Sequence, residues 1–228
     1  MRLEQSGVAS PFLTAEQRAS GRGAKREALL LAAVRLFNEK GFHAVSLEEV
    51  AASMGVTKPT IYHHLGNKDR VLLECVTRGL EQLQEAAERS TVVSGKGIDR
   101  LRAFLLQYAA INMEDFGRCV IRTSDELLAP ESRSLFVDLK RQVDQALRRL
   151  VAEAQADGSI ATADVRMSAF ALAGALNGPA RWFKPDGAMS GSEVASKLVV
   201  SLIDGLAPRG DVSVHGGQTV VDHGAITD

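Results

Sequence analysis

The stretch Thr57-Lys58-Pro59-Thr60-Ile61-Tyr62-His63-His64 concentrates side chains suited to a nucleic-acid surface. A lysine such as Lys58 can reach a phosphate or a guanine edge. Threonines at 57 and 60 can touch thymine methyls or phosphates, and Tyr62 and His63 can donate to phosphate oxygens. Lys68 stands at a helix start, where exposed N–H groups also favour phosphate. Ser46, Thr57, Lys58, Thr60, Tyr62, His63, His64 and Lys68 are therefore the candidate DNA-contact set. The His63-His64 pair also invites a metal reading. Adjacent helical residues do not face one another, however, and no third ligand stands at a useful spacing, so neither a metal nor a cofactor is expected. Catalytic patterns are missing too. There is no nucleophile elbow and no phosphate-binding glycine loop, and the carboxylates are scattered on solvated faces, so an enzyme is not expected.

A tight helical unit is needed to present these side chains. Leu29, Leu30, Ala33, Val34 and Phe37 recur at helical spacing, which predicts a helix from about Ala24 to Lys40, stopped by Gly41. Ser46 with Glu49 three residues on is a capping-box pattern and opens a short helix to about Met54. Gly55 allows the sharp reversal. Thr57 then caps a third helix, with Pro59 in its first turn, that reaches about His64. Val50, Ala51, Met54, Val56 and Ile61 would pack the second helix on the third, a helix-turn-helix that leaves the polar set outside.

Charge is distributed to match. Residues 18–70 carry nine basic side chains against five acidic ones, a net of +4, whereas the whole 228-residue chain sums to −1. A basic front on an acidic body is what one phosphate-facing end requires. Residues 1–23 are expected to be a flexible arm, and its Arg18 and Arg22, with Lys25 and Arg26 just beyond it, either enter a minor groove or form a solvated basic tail. Cys75 and Cys119 are too few and too far apart for a disulfide framework and are expected to be reduced core residues. No apolar run approaches the roughly 18–20 residues needed to cross a bilayer, and no signal peptide is visible, so a cytoplasmic protein with no membrane partner is expected.

The run from Arg26 to Val71 resembles the DNA-binding domain of the TetR family of bacterial repressors. The resemblance lies in Ala33-x-x-Leu36-Phe37-x-x-x-Gly41, then Gly41-Phe42-x-Ala44-x-Ser46, Val50-Ala51, Gly55-Val56-x-Lys58-x-Thr60-Ile61-Tyr62-x-His64, and Lys68. Leu65 departs from the pattern, since the family very often has an aromatic there. What the resemblance implies is a homodimer whose two recognition helices read a palindromic operator, and a C-terminal domain that holds a small inducer.

The remainder reads as an all-α bundle. Helices are expected at Lys68–Arg89, Ile98–Asn112, Phe116–Leu128, Glu131–Ala156, Ala163–Asn177 and Ser192–Leu206, with a disordered tail at 208–228. The domain division is 24–70 for DNA binding and 71–207 for ligand binding and dimerisation. Alanines and Gly174 in the helix ending at Asn177 allow the close approach of a dimer interface. Candidate ligand contacts are Phe104, Tyr108, Phe116, Arg122, Asn177, Arg181 and Trp182. Arg122 can equally pair with Glu126 one turn on. The segment from Ala175 to Ser190, with Arg181-Trp182-Phe183-Lys184-Pro185-Asp186-Gly187, resembles TetR-type regulators of lipid, sterol and aromatic-acid breakdown, several of which sense acyl-CoA thioesters. It can equally be a structural joint at the dimer interface. The resemblance implies an acyl-CoA or a similar amphipathic acid as effector. A body that senses another apolar ligand or a protein partner, or a regulator that activates, remains the alternative.

Overall fold

The computed structural model describes the backbone of residues 15–206 and side chains from residue 21. All described elements are helical: α1 Ala15–Lys40, α2 Leu47–Ser53, α3 Lys58–Leu65, α4 Lys68–Thr91, α5 Gly97–Met113, α6 Asp115–Arg122, a 3-10 turn Asp125–Leu127, α7 Pro130–Ala156, α8 Val165–Asn177, α9 Pro179–Trp182 and α10 Gly191–Leu206. The expected tail and the first fourteen residues of the expected arm lie outside the described residues.

Two boundaries differ from the sequence pattern. Helix α1 begins at Ala15, inside the segment expected to be an irregular arm. Further along, Gly21 and Gly23 have open space around them. Alanine, glutamate, glutamine and arginine at 15–19 favour helix by propensity alone, and the packed part of α1 extends it. Helix α6 ends at Arg122 instead of running on to Leu128. There the Thr123 hydroxyl donates back to the Cys119 carbonyl at 2.7 Å, and Asp125 is held by α7: Arg133 Nε donates to its carbonyl at 2.9 Å and Lys140 pairs with its carboxylate at 2.6 Å. Local hydroxyl bonding and these tertiary contacts outweigh the helical period.

Helices α1 to α3 enclose a small core of Leu30, Val34, Val45, Val50, Ile61 and Leu65, all essentially buried. Gly55, at φ +62°, makes the reversal between α2 and α3. Helix α4 leaves this unit and becomes the central strut of the body, packed against α5, α6 and α7. Its contact with α6 is very close. A Cβ at Gly79 would lie 2.7 Å from the Phe116 carbonyl oxygen and 2.8 Å from the Val120 side chain. The reader's first helix is also joined to α6, through Arg35 Nε to Asp115 Oδ2 and Asn38 Nδ2 to the Asp115 carbonyl, both at 2.8 Å.

Candidate DNA interface and effector cavity

Helix α3 buries Ile61 and Leu65 and turns Thr57, Lys58, Tyr62 and His63 to solvent, with Thr60 and His64 half-buried. Ser46 is exposed, and its hydroxyl accepts the Glu49 N–H at 3.1 Å as the cap of α2. Thr57 and Thr60 share a hydroxyl–hydroxyl hydrogen bond of 2.9 Å. The polar set is not bare. Lys58 pairs with Glu48 at 2.6 Å, and the Tyr62 hydroxyl donates to the same carboxylate at 3.1 Å. Lys58 above all holds the Glu48 carboxyl below its usual range, and Glu48 in turn raises the Lys58 ammonium. Glu48 thus sits as a removable counter-ion on the surface expected to meet phosphate. The sequence reading missed it, although a glutamate at the second position of α2 was available as the signal.

Two expected basic contacts have other partners. Lys68 lies over the Phe42 ring at 4.3 Å, and burial lowers its ammonium pKa. Arg26, expected in the arm, instead binds the Glu74 carboxylate through both terminal nitrogens and donates from Nε to the His64 carbonyl at 3.2 Å. It is a brace between α1, the end of α3 and α4. His63 and His64 meet edge-on at 5.4 Å. Burial first, then neighbouring His63, Lys25 and Arg26, push the His64 pKa down. Among the described residues no cluster of metal-ligating side chains forms.

The body holds a cavity of about 790 Å³ between α4, α5, α6, α7 and α8. Its apolar surface includes Leu80, Leu83, Val120, Val143, Leu147 and Phe170, and its polar rim includes Lys140, Arg141, Asp144, Arg148 and Arg181. Tyr108 and Asn177 face it as well. The Tyr108 hydroxyl donates to Asn177 Oδ1 at 2.9 Å, and the fully buried Asn112 donates to the same oxygen at 3.0 Å. Burial raises the Tyr108 pKa, so the phenol stays a neutral donor. A smaller polar cavity of about 260 Å³ adjoins it, lined by Phe37, Asn38, Phe42, Leu72, Cys119 and Arg122 together with Thr123 and Arg181, the two residues it shares with the larger one.

The seven candidate ligand residues are therefore not one site. Tyr108, Asn177 and Arg181 line the main cavity. Phe104 does not: it is fully buried, edge-on to Tyr108 at 5.7 Å, and belongs to the core. Phe116 lies in a separate groove with Phe183, with the Arg78 guanidinium 5.4 Å from its ring, because α6 turns it toward α4. Trp182 is 54% exposed and outside the cavity, carried outward by the short α9. Arg122 lines the smaller cavity. Its expected pairing with Glu126 does not form, because α6 ends between them. The rim residues of α7, Lys140, Arg141, Asp144 and Arg148, were not singled out from the sequence, because charges at helical spacing carry no local mark of a ligand.

Comparison with known proteins agrees with this two-part layout. Residues 29–75 match the family described as bacterial regulatory proteins, tetR family, and residues 94–206 match the tetracyclin repressor-like C-terminal domain. The chain belongs to the TetR family. PfmR of Thermus thermophilus, a TetR-family transcriptional regulator, is 30% identical with a TM-score of 0.71, over 79% of this chain and 99% of that one. The transcriptional repressor KstR2 of Rhodococcus jostii is 25% identical, over 82% of this chain and 94% of that protein. AibR, solved in complex with isovaleryl coenzyme A and operator DNA, is 25% identical with a TM-score of 0.69, over 78% of this chain and 98% of that one. The tetR-family match spans α2 and α3, and the C-terminal-domain match spans α5 to α10.

Proposed function

We propose that this TetR-family regulator is a homodimeric repressor, released from a palindromic operator by an amphipathic acid such as an acyl-CoA thioester. The observation that carries the effector class is the cavity: an apolar interior with four cations on its rim, beside a polar pocket that shares Thr123 and Arg181 with it and holds a further arginine. An apolar chain fits the first space, and an anionic head fits the cations. The likeness to AibR, solved with isovaleryl coenzyme A, supports the same class, and the likeness to the repressor KstR2 supports repression. Tyr108 and Asn177 supply the neutral polar contacts inside.

The DNA-contact set on α3 would read the major groove with Lys58, Thr60 and Tyr62, while Ser46, Thr57, His63 and Lys68 position the backbone. Half-buried His64 would act at the edge of that surface. Dimerisation is supported by the outward side of α8, where Met167 is 59% and Phe170 45% exposed beside Ala171, Gly174 and Ala175, and by Val200 on α10. Phe170 and Gly174 also line the cavity, so a dimer face there adjoins the effector.

Release follows from α6. It supplies Val120 and Ile121 to the cavity, is fitted against Gly79 of α4, and holds α1 through Asp115. A ligand that favours a different seating of α6 would alter the spacing of the two recognition helices, and would do so only by its difference in affinity for the two states. No catalytic step is assigned to these residues.

The test is fluorescence anisotropy with the duplex upstream of the protein's own gene, titrated with salt and with acyl-CoAs of increasing chain length. Sequence-selective binding that one thioester abolishes is the expected result. Tight binding that no thioester disturbs would overturn the effector class, and binding without sequence preference would overturn the operator. Light scattering is expected to give twice the 24.4 kDa chain mass.

A further inference from the structure

Helix α7 has no cap of its own. Its N-cap residue is Ala129, which offers no side-chain acceptor, and Pro130 follows. In a capping box an acidic or amide side chain at the third helical position would reach back to the N-cap N–H. That position here is Ser132. The missing acceptor comes from another helix. The Ala129 N–H donates to Asp69 Oδ1 at 2.8 Å, and the Ser132 hydroxyl donates to Asp69 Oδ2 at 2.7 Å. Helix α4 does not need Asp69 for itself, because Asn67 Oδ1 accepts the Arg70 N–H at 2.8 Å. One carboxylate in the first turn of α4 thus takes the place of the third-position acceptor at the start of α7, sixty residues away.

Each end of this link meets a functional element. On one side, Asp69 follows Lys68, which is seated on Phe42, and only Gly66 and Asn67 separate α4 from the recognition helix α3. On the other side, α7 walls the cavity through Val137, Lys140, Asp144 and Arg148. Lys140 and Arg133 also hold Asp125 in the turn after α6. We propose that Asp69 is a positioning residue that carries the state of the cavity to the recognition helix. A regular helix moves as a unit, and shifts of about 1–2 Å at helix interfaces are typical of such transitions. A displacement of that size at the first turn of α7 breaks both hydrogen bonds, since such bonds fade beyond about 3.5 Å. The link is then a second route beside α6, and it acts at the base of the reader. It rests on the cavity being the effector site.

Two variants of the full chain test it, Ser132→Ala on the α7 side and Asp69→Asn on the α4 side. Hydrogen exchange of the free protein needs no ligand. Ser132→Ala is expected to raise exchange in Lys58–Leu65 and at the start of α4, although the substitution lies on α7. An increase confined to the first turn of α7 overturns the proposal. Isovaleryl-CoA is the probe for the second arm, with operator affinity read by anisotropy. Asp69→Asn is expected to weaken ligand-free operator binding several-fold, as the broken link does, and to cut the thioester's remaining effect on that affinity about fivefold, a change within the usual range of coupling energies. A variant that only melts earlier, with its release ratio intact, would show a merely structural cap and overturn the proposal. If isovaleryl-CoA fails to act on the parent protein, the effector class is what fails, and the exchange comparison alone decides the role of Asp69.

Discussion

The reader and the cavity rim are both rich in paired charges, but the pairs are built differently. Around the reader they join elements separated in sequence: Arg26 to Glu74, Arg78 to Glu27, Arg35 to Asp115, and Lys58 to Glu48. On the rim two of them stay within one helix, Arg141 with Asp138 and Arg148 with Asp144. A pair between elements orients one against the other. A pair within a helix orients little beyond its own side chains and contributes only a few tenths of a kcal/mol. The reader is therefore held at a set angle on α4, whereas rim cations can exchange a carboxylate for an incoming anion at small cost. Lys140 is intermediate, because its partner Asp125 lies in the turn after α6. An anion that draws Lys140 away loosens that turn as well.

The largest effect is expected where the two regions share a steric joint. Gly79→Val places branched carbons against the Phe116 carbonyl, and backbone cannot yield as a flexible side chain does. Overpacking of this kind costs about 1–3 kcal/mol or more. For a chain of this size, about 3 kcal/mol lowers the melting temperature by roughly 6–12 °C. Thermal unfolding followed by circular dichroism checks it. A Gly79→Val protein that melts with the parent would mean that α4 and α6 are not locked together, and the proposed release route through α6 would lose its basis.

The DNA surface gives the next largest effect, and it separates the two roles of one ion pair. Lys58→Ala is expected to weaken operator binding by about 1–2 kcal/mol and to reduce the slope of log affinity against log salt by about one. Glu48→Gln removes the carboxylate paired with Lys58, which on the proposed reading competes with phosphate for that ammonium. It is expected to strengthen binding several-fold, with the gain largest at low salt. If Glu48→Gln weakened binding instead, Glu48 would be orienting Lys58 and Tyr62 rather than masking them.

How far the sequence could be read also divides along these two regions. The helix-turn-helix was legible because its determinants are local: Ser46 as a cap, Gly55 at positive φ, Pro59 in a first turn, and Ile61 and Leu65 as the inward face. What escaped were the partners that folding brings in from a distance. Nothing near Arg26 indicates Glu74, so it read as part of a loose basic arm. Helix α7 shows the same limit at the cavity. Its charges are periodic and look solvated, and only the placement of α6 and α8 makes a rim of them. Large aromatics misled in the other direction. Phe104 and Phe116 have the chemistry of a ligand wall, but burial and helix rotation decided their place, and a sequence period of 3.6 does not say which neighbour a face will meet.

A pH titration addresses the long-range pairs directly. Burial pushes the Glu74 carboxyl upward, but the hydrogen bond and charge of Arg26, with Arg78 beside it, outweigh this and leave it below its ordinary value of 4.5. A carboxyl whose pKa is lowered on folding contributes stability that is fully present above its unfolded pKa. That contribution disappears as pH falls through the lowered value. The arginines stay charged throughout, so the loss belongs to the carboxylate. The parent protein is expected to lose melting temperature more steeply below about pH 4.5 than Glu74→Gln, with the two curves running parallel at neutral pH. Parallel curves down to about pH 3 would show that the brace between α1 and α4 is not set by this charge.

The smallest effect is expected on the rim, and it is informative because it should be small. Asp138→Asn removes a same-helix partner from Arg141, whose side chain is 58% exposed. Stability should change by less than about 0.5 kcal/mol, as for most exposed pairs. Operator affinity without effector should not change, because no element is reoriented. Effector affinity should rise by about twofold, since Arg141 no longer has to leave a carboxylate before meeting an anion. Isothermal titration calorimetry with an acyl-CoA and anisotropy with the operator measure the two quantities on one preparation. If Asp138→Asn weakened operator binding, separation in sequence would not be what makes a charge pair orient the reader. The rim would then have to be mechanically continuous with the DNA surface even before a ligand arrives.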